Sequence, residues 1–331
     1  MNIHTSAPGK IVLCGEYAVL DGAPAIVIAV DRRASVRISE SKTGSHVVAC
    51  SGYDDGQYPF ELNDEYEFAW TSASPDFSLL EQLWQSTSGP TSPELSILLD
   101  TESLFDPLSG RKLGLGSSAA LSVALLAAFA SFDEKSTDLD EAVAIHRLIQ
   151  GGRGSGIDVA AAICGGVTEY RMGETAYARR LDWPAMLEYA VLWSGSSSST
   201  EQKIAAFDRS TERHDSRDQL ATASAEIVAA WPAAEIDDLI SMFSEYTQTL
   251  IQFSNDHDLG VFDGGHSELV TLAADHGVVY KPCGAGGGDV GIVLSANRRA
   301  VAEFVTAAAE FGFRRLQLNI DPVGLITDRS K

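Results

Sequence analysis

The chain has 331 residues, 45% hydrophobic and 21% charged, the composition of a globular protein with room for two domains and not of a disordered chain. Asp and Glu number 46 against 24 Lys and Arg, a formal net charge of −22, and a surface that negative repels nucleic acid and anionic membranes, so neither is an expected partner. The four cysteines are far apart and form no C-x-x-C pair, which argues against a zinc site or a disulfide framework.

The first residues are polar and carry no apolar leader. The longest apolar run, residues 119–132, is too short for a bilayer span. A reduced cytoplasm is therefore the expected location. Residues 10–13 and 25–30 read as apolar strands joined by a turn at Asp21-Gly22, and the alternation over 35–39 extends the second. Residues 40–80 are polar and rich in Gly, Ser and Asp, which predicts loops with short strands. Residues 95–100 alternate like another strand. After a loop at 107–112 and a glycine-rich turn, residues 117–132 read as a buried helix, apolar nearly all round. Residues 138–150 form a second helix, capped by Asp138 or Thr137. A domain boundary is expected near residue 182, where Asp182-Trp183-Pro184 breaks the pattern, giving domains 1–182 and 183–331. Beyond it come a strand at 187–193, a polar run, and helices to about residue 277. The end reads strand 278–281, glycine loop, strand 290–294, helix 299–311 and strand 315–320, which predicts an α+β sandwich.

Three short segments carry chemistry. Gly114, Leu115, Gly116, Ser117, Ser118 and Ala119 open the buried helix. Glycines let a ligand approach the backbone, and a helix N-terminus offers unpaired N–H groups and partial positive charge, so the segment suits an anion. Ser117 and Ser118 add hydroxyls for phosphate or Mg²⁺. The same residues serve equally as a capped helix start whose small side chains aid packing. They also fit the dinucleotide fingerprint G-x-G-x-x-A, but residues 107–112 stand where that fingerprint needs a strand. No Gly-Lys-Ser/Thr follows to make a Walker loop. The second segment, Gly284-Ala-Gly-Gly-Gly-Asp289, has four glycines in five positions and exposes main chain between two strands. The third, Gly152-Arg-Gly-Ser-Gly-Ile-Asp158, runs into a helix, so Asp158 either caps it or orients a substrate hydroxyl.

With Pro8-Gly9-Lys10 at the start, these segments in this order resemble the GHMP kinase superfamily. The stretch from Ala7 to Leu20 is similar to its first motif, Gly114–Ala120 to its phosphate loop and Lys281–Asp289 to its third motif. Tyr17 after Glu16, Lys112 before the phosphate loop, Asp289 closing the glycine loop and the serine run after Trp193 look most like the phosphomevalonate kinase branch. The resemblance implies a two-domain α+β fold: an N-terminal domain like domain 2 of ribosomal protein S5 and a ferredoxin-like C-terminal domain. It implies ATP as co-substrate with Mg²⁺, a small phosphorylated acceptor such as 5-phosphomevalonate, and a monomer or homodimer. Mevalonate or another small acceptor, or an inactive ligand sensor, are the alternatives. By the same likeness Lys10 and Asp158 are catalytic. Lys112, Gly114, Leu115, Gly116, Ser117, Ser118 and Ala119 hold the nucleotide, with Ser118 on the metal. Lys10, Tyr17, Ser155, Asp158, Ser198, Ser199, Gly284, Ala285 and Gly286 hold the acceptor. Repulsion between two phosphates calls for further cations, for which Arg153 and Lys203 are candidates, though the plainer reading of each is a solvated surface charge. One departure stands out: where mevalonate kinases carry a metal-ligating Glu, eleven residues before the catalytic Asp, this chain has Arg147, preceded by His146.

Overall fold

A computed structural model describes residues 2–330 except 53, 55, 64, 66, 73, 88–93, 153, 198–202, 204–206 and 208–214. Among the described residues the strands form two sheets. The first is built on β1 (Asn2–Cys14) and β2 (Ala25–Glu40), paired antiparallel along most of their length. β2 is long enough to take two further partners in succession. Its first residues pair with β7 (Val167–Arg171), which carries β8 (Tyr177–Leu181) as its outer neighbour, and its last six pair with β6 (Leu95–Asp100). β3 (His46–Ser51), β4 (Gln57–Leu62) and β5 (Phe68–Trp70) continue the sheet, with β3 parallel to β6. The short strands fall within the polar stretch 40–80; α1 (Ser78–Thr87) begins at its end.

The apolar run forms α2 (Ser117–Ala130), whose residues from Ala119 to Phe129 are nearly all buried. Thr5 in β1 fixes it to the sheet by donating to the carbonyl of Ala124 at 2.7 Å. α3 (Leu139–Ile149) starts at Asp138, whose carboxylate accepts from the amides of Asp140 and Glu141, so Asp138 is the cap. α4 (Ile157–Cys164) follows.

In the second half, β9 (Glu188–Trp193) leads through α5 (Asp215–Ala230), α6 (Ile236–Asp256) and α7 (His266–Asp275) to β10 (Val279–Pro282) and β11 (Val290–Ser295), then α8 (Arg298–Ala308) and β12 (Arg314–Leu316). The sheet order β10-β11-β9-β12, all antiparallel, is the split βαββαβ arrangement of ferredoxin-like domains.

One expectation is corrected. The strand expected over 315–320 stops at Leu316; Asn319 is instead bonded to the Asp31 carboxylate and Ile320 makes an isolated bridge to Val30. The chain then returns to the first sheet, where β13 (Ile326–Ser330) pairs with β1. One core cluster runs through both halves, from Ile11, Leu13 and Ile28 to Leu220, Phe243, Leu250 and Val290. The two sheets are thus held as one packed body, with a cleft between them.

Candidate active site

The cleft begins at a break in the β1–β2 pairing. The register shifts between Pro8 and Gly9. Pro8 has no N–H to pair there, and Gly9 has no Cβ, where one would run into the carbonyl of Leu115. That carbonyl accepts from the Lys10 amide at 2.8 Å. The bulge thereby docks the 114–116 turn directly onto Lys10.

Gly114 and Gly116 both have φ of 77°, a left-handed conformation that glycine adopts without penalty. Gly116 caps α2 and supplies no side-chain acceptor, so the first amides of α2 point outward without an intrahelical partner. Ser118 is exposed on that first turn, Ser117 is half-buried beside it, and Leu115 and Ala119 are buried, offering only backbone. Lys112 is exposed, bridged through its backbone to Phe105.

α4 repeats the arrangement. Gly156, at φ 83°, caps it without a side-chain acceptor, and Asp158 lies in its first turn. Tyr170 holds the approach by donating to the Ser155 carbonyl at 2.6 Å. Asp158 Oδ1 faces Lys10 Nζ at 3.7 Å. A Cβ on Gly116 would lie 3.1 Å from Lys10 Cε and 3.6 Å from Asp158 Oδ2, and one on Gly284 would lie 3.4 Å from Lys10 Nζ. All three glycine segments therefore meet around the Lys10 ammonium.

The cleft is lined by Lys10, Tyr17, Ser155, Asp158, Gly284 and Ala285, with an apolar wall of Val12, Val19, Leu20 and Ile157. Tyr17 OH donates to the Ala285 carbonyl at 2.8 Å. Burial, then the charge of Glu16, push its phenol pKa up, so it stays a neutral donor. Gly286 turns away and packs against Val261. Ser198, Ser199 and Arg153 lie outside the described residues. Lys203 Nζ donates to the carbonyls of Leu259 and Gly260 at 2.6 and 2.8 Å, beneath Gly287, so it braces the glycine loop.

Three features had no assigned role in the sequence. Glu16 is fully buried and bonded to Lys281 Nζ, and its other oxygen accepts from Tyr246 OH at 2.7 Å. Tyr246 OH in turn accepts from the Gly15 amide at 2.8 Å. Burial lowers the Lys281 pKa, but Glu16 beside it more than offsets this and the net shift is upward. Glu16 lines the cleft wall, and the pair joins the turn after β1 to β10. His146 and Gln150, four apart at the end of α3, also line the cleft; that helical spacing was the available signal. Arg147 faces elsewhere, donating from Nε to the Gly154 carbonyl at 3.1 Å.

A family model for the GHMP kinases N terminal domain matches residues 90–166. Phosphomevalonate kinase of Streptomyces sp. strain CL190 is 31% identical over 333 residues, covering 87% of this chain and 88% of that one. The chain belongs to the GHMP kinase family. Mevalonate kinase of Pyrococcus abyssi is 28% identical, covering 92% of each chain. The structure of Streptococcus pneumoniae phosphomevalonate kinase in complex with phosphomevalonate and AMPPNP shares the fold, with a TM-score of 0.78 at 18% identity over 97% of this chain and 99% of that one. The GHMP kinase cleft holds one ammonium and one carboxylate at its centre, with two glycine-capped helix N-termini nearby, the first amide of α4 donating to the Ser155 hydroxyl at 3.3 Å. Such a set neutralises and orients phosphate better than it supplies a strong base. Among the described residues no group of three or more His, Cys, Asp or Glu is placed to hold a metal ion, and no helix is long and apolar enough to cross a membrane.

Proposed function

We propose that this kinase transfers the γ-phosphoryl group of ATP to 5-phosphomevalonate, giving 5-diphosphomevalonate and ADP, in the cytoplasm. The observation that carries this reading is the meeting of Gly116, Gly284 and Asp158 around Lys10, beside a small cleft with one apolar wall. The relative from Streptomyces and the fold shared with the phosphomevalonate complex support the choice of acceptor.

In this reading the amides of the 114–118 turn and the α2 N-terminus cradle the ATP phosphates. Mg²⁺ enters with the nucleotide, and Ser118 is the residue exposed to hold it; magnesium keeps its waters and suits so sparse a protein shell. Lys10 sits between donor and acceptor and neutralises charge on the transferring group. Asp158 orients the attacking oxygen. Tyr17, Ser155, Gly284 and Ala285 hold the acceptor. Because the attacking atom of phosphomevalonate is already an ionised phosphate oxygen, positioning and charge neutralisation outweigh proton removal. Mevalonate is the second reading, favoured by the Pyrococcus relative's coverage of 92% of both chains. ADP release measured in parallel with phosphomevalonate, mevalonate, homoserine and galactose, with and without Mg²⁺, decides between them. Release with phosphomevalonate alone is expected; release with mevalonate alone overturns the assignment.

A further inference from the structure

α3 presents one face to the protein interior, with Ala142, Val143 and His146 buried. His146 is 4% exposed and lines the cleft together with Gln150, Ser155 and Asp158. Its Nε2 is enclosed and meets no hydrogen-bond partner among the described residues. A buried, unpaired imidazole nitrogen costs free energy in the free protein, and a bound group that completes it recovers that cost. Burial pushes the ring pKa down, against the pull of Asp158. The ring is therefore neutral near pH 7, with one nitrogen donating and one accepting. A neutral ring adds no charge for phosphate, and Mg²⁺ prefers oxygen ligands. Its match is a hydroxyl or carboxylate oxygen. The reacting end of the acceptor belongs at Lys10 and Asp158, so His146 serves the part of the acceptor that does not react. The apolar side chains Val12, Val19 and Leu20 line the same cleft from the β1 side.

Resting on the reading of this cleft as the acceptor site, we propose that His146 Nε2 hydrogen-bonds an oxygen in the non-reacting part of the acceptor and so sets which acceptor the cleft takes. The test compares His146→Leu and His146→Gln with the unsubstituted enzyme, varying phosphomevalonate and ATP separately and recording melting temperature. His146→Leu is expected to raise the acceptor KM about tenfold or more, the equivalent of one lost hydrogen bond. The KM for ATP stays within about twofold, and melting temperature does not fall, because no polar atom is left unpaired. His146→Gln, which keeps an N–H donor, falls between the two. An unchanged acceptor KM in His146→Leu overturns the proposal, since the acceptor would then make no bond to the ring. Parallel rises in both KM values overturn it too, as the mark of a purely structural role. If His146→Leu does not fold, His146→Gln carries the test, and an acceptor KM equal to that of the unsubstituted enzyme overturns it. If the unsubstituted enzyme takes mevalonate, homoserine or galactose instead, the functional assignment fails while the same ratio, read with that acceptor, still decides on His146. An enzyme that takes none of the four overturns both.

Discussion

Lys10 Nζ lies 3.7 Å from Asp158 Oδ1, with the lysine side chain 12% and the aspartate side chain 30% exposed. That separation is an ion pair beyond direct hydrogen-bond range, so the ammonium keeps N–H groups and the carboxylate keeps lone pairs for a further partner. A partly exposed pair of this kind is worth little to folding, up to about 1 kcal/mol. Lys10→Ala and Asp158→Ala are therefore expected to melt within a few degrees of the unsubstituted enzyme while each loses roughly 10²-fold or more in kcat. Asp158→Asn separates orientation from proton transfer. With phosphomevalonate it should retain clearly more activity than Asp158→Ala; with a hydroxyl acceptor both should fall alike. Near-normal turnover in the two alanine variants would sink the assignment.

Gly114 and Asp289 bring the 114–116 turn against the second glycine segment, 284–289. A Cβ at Gly114 would overlap the Asp289 side chain, and Asp289 is itself left-handed at φ 56°. Gly114→Ala is expected to cost the left-handed strain of about 1–2 kcal/mol plus a clash of similar size, and to raise the KM for ATP. Gly277→Ala is the control: its φ is 63° with open space around it, so only the strain applies and ATP affinity holds. Adding Asp289→Gly to Gly114→Ala should restore part of the stability. Equal destabilisation by the two alanine variants in chemical denaturation would remove the clash from the account.

The all-apolar run of α2, the amphipathic α3 and the β1–β2 pair were legible before folding, as were the three glycine segments that the structure brings around Lys10 and Asp158. What stayed hidden depends on contacts between residues distant in sequence. β8 has no alternating apolar face; Arg179 is held by the buried carboxylate of Glu169, which also takes Arg171. β13 is almost wholly exposed and exists through its pairing with β1. The carboxylate of Glu16 stood inside a recognised motif, but its partners Tyr246 and Lys281 come from 230 and 265 residues away. Cleft-facing His146 sat beside the residue where a carboxylate was sought, and only the helix phase separates the two.

Ser118 offers an exposed hydroxyl on the first turn of α2, and the described residues contribute no metal-binding cluster. Ser118→Ala should therefore shift the Mg²⁺ dependence of turnover to higher concentration without altering the melting temperature of the apoprotein. A superimposable metal titration would rule this role out.

The buried Glu16–Lys281 pair couples the first motif to the strand that leads into the glycine loop. Removing one partner leaves the other charge buried, at a cost of about 3–5 kcal/mol. Lys281→Met is expected to lose that much, and Glu16→Gln together with Lys281→Met to lose less than Lys281→Met alone. Strict additivity of the single costs in a double-mutant cycle would show that the two charges do not depend on each other.

His266 is expected to make the stability of the protein acid-sensitive. Its Nε2 faces the Gly288 carbonyl at 2.9 Å, an acceptor only, so Nε2 carries the proton and Nδ1 accepts from Tyr280 OH at 2.7 Å. Burial is the main cause that lowers its pKa to about 4, with Lys281 and Lys203 pushing the same way and the Gly288 carbonyl and Glu268 opposing. The folded value lies below the unfolded value of about 6.5, so the unfolded chain takes up the proton first. The stability held above pH 6.5 is lost progressively as pH falls towards 4, amounting to roughly 2 kcal/mol between pH 7.5 and pH 5. Burial also lowers the pKa of His46 and His146, giving the same sign, so the measurement is a difference. Unfolding free energy of His266→Gln, followed by denaturant titration across that range, should fall less steeply than that of the unsubstituted protein. Identical slopes would mean that the imidazole between Tyr280 and Gly288 does not titrate on unfolding.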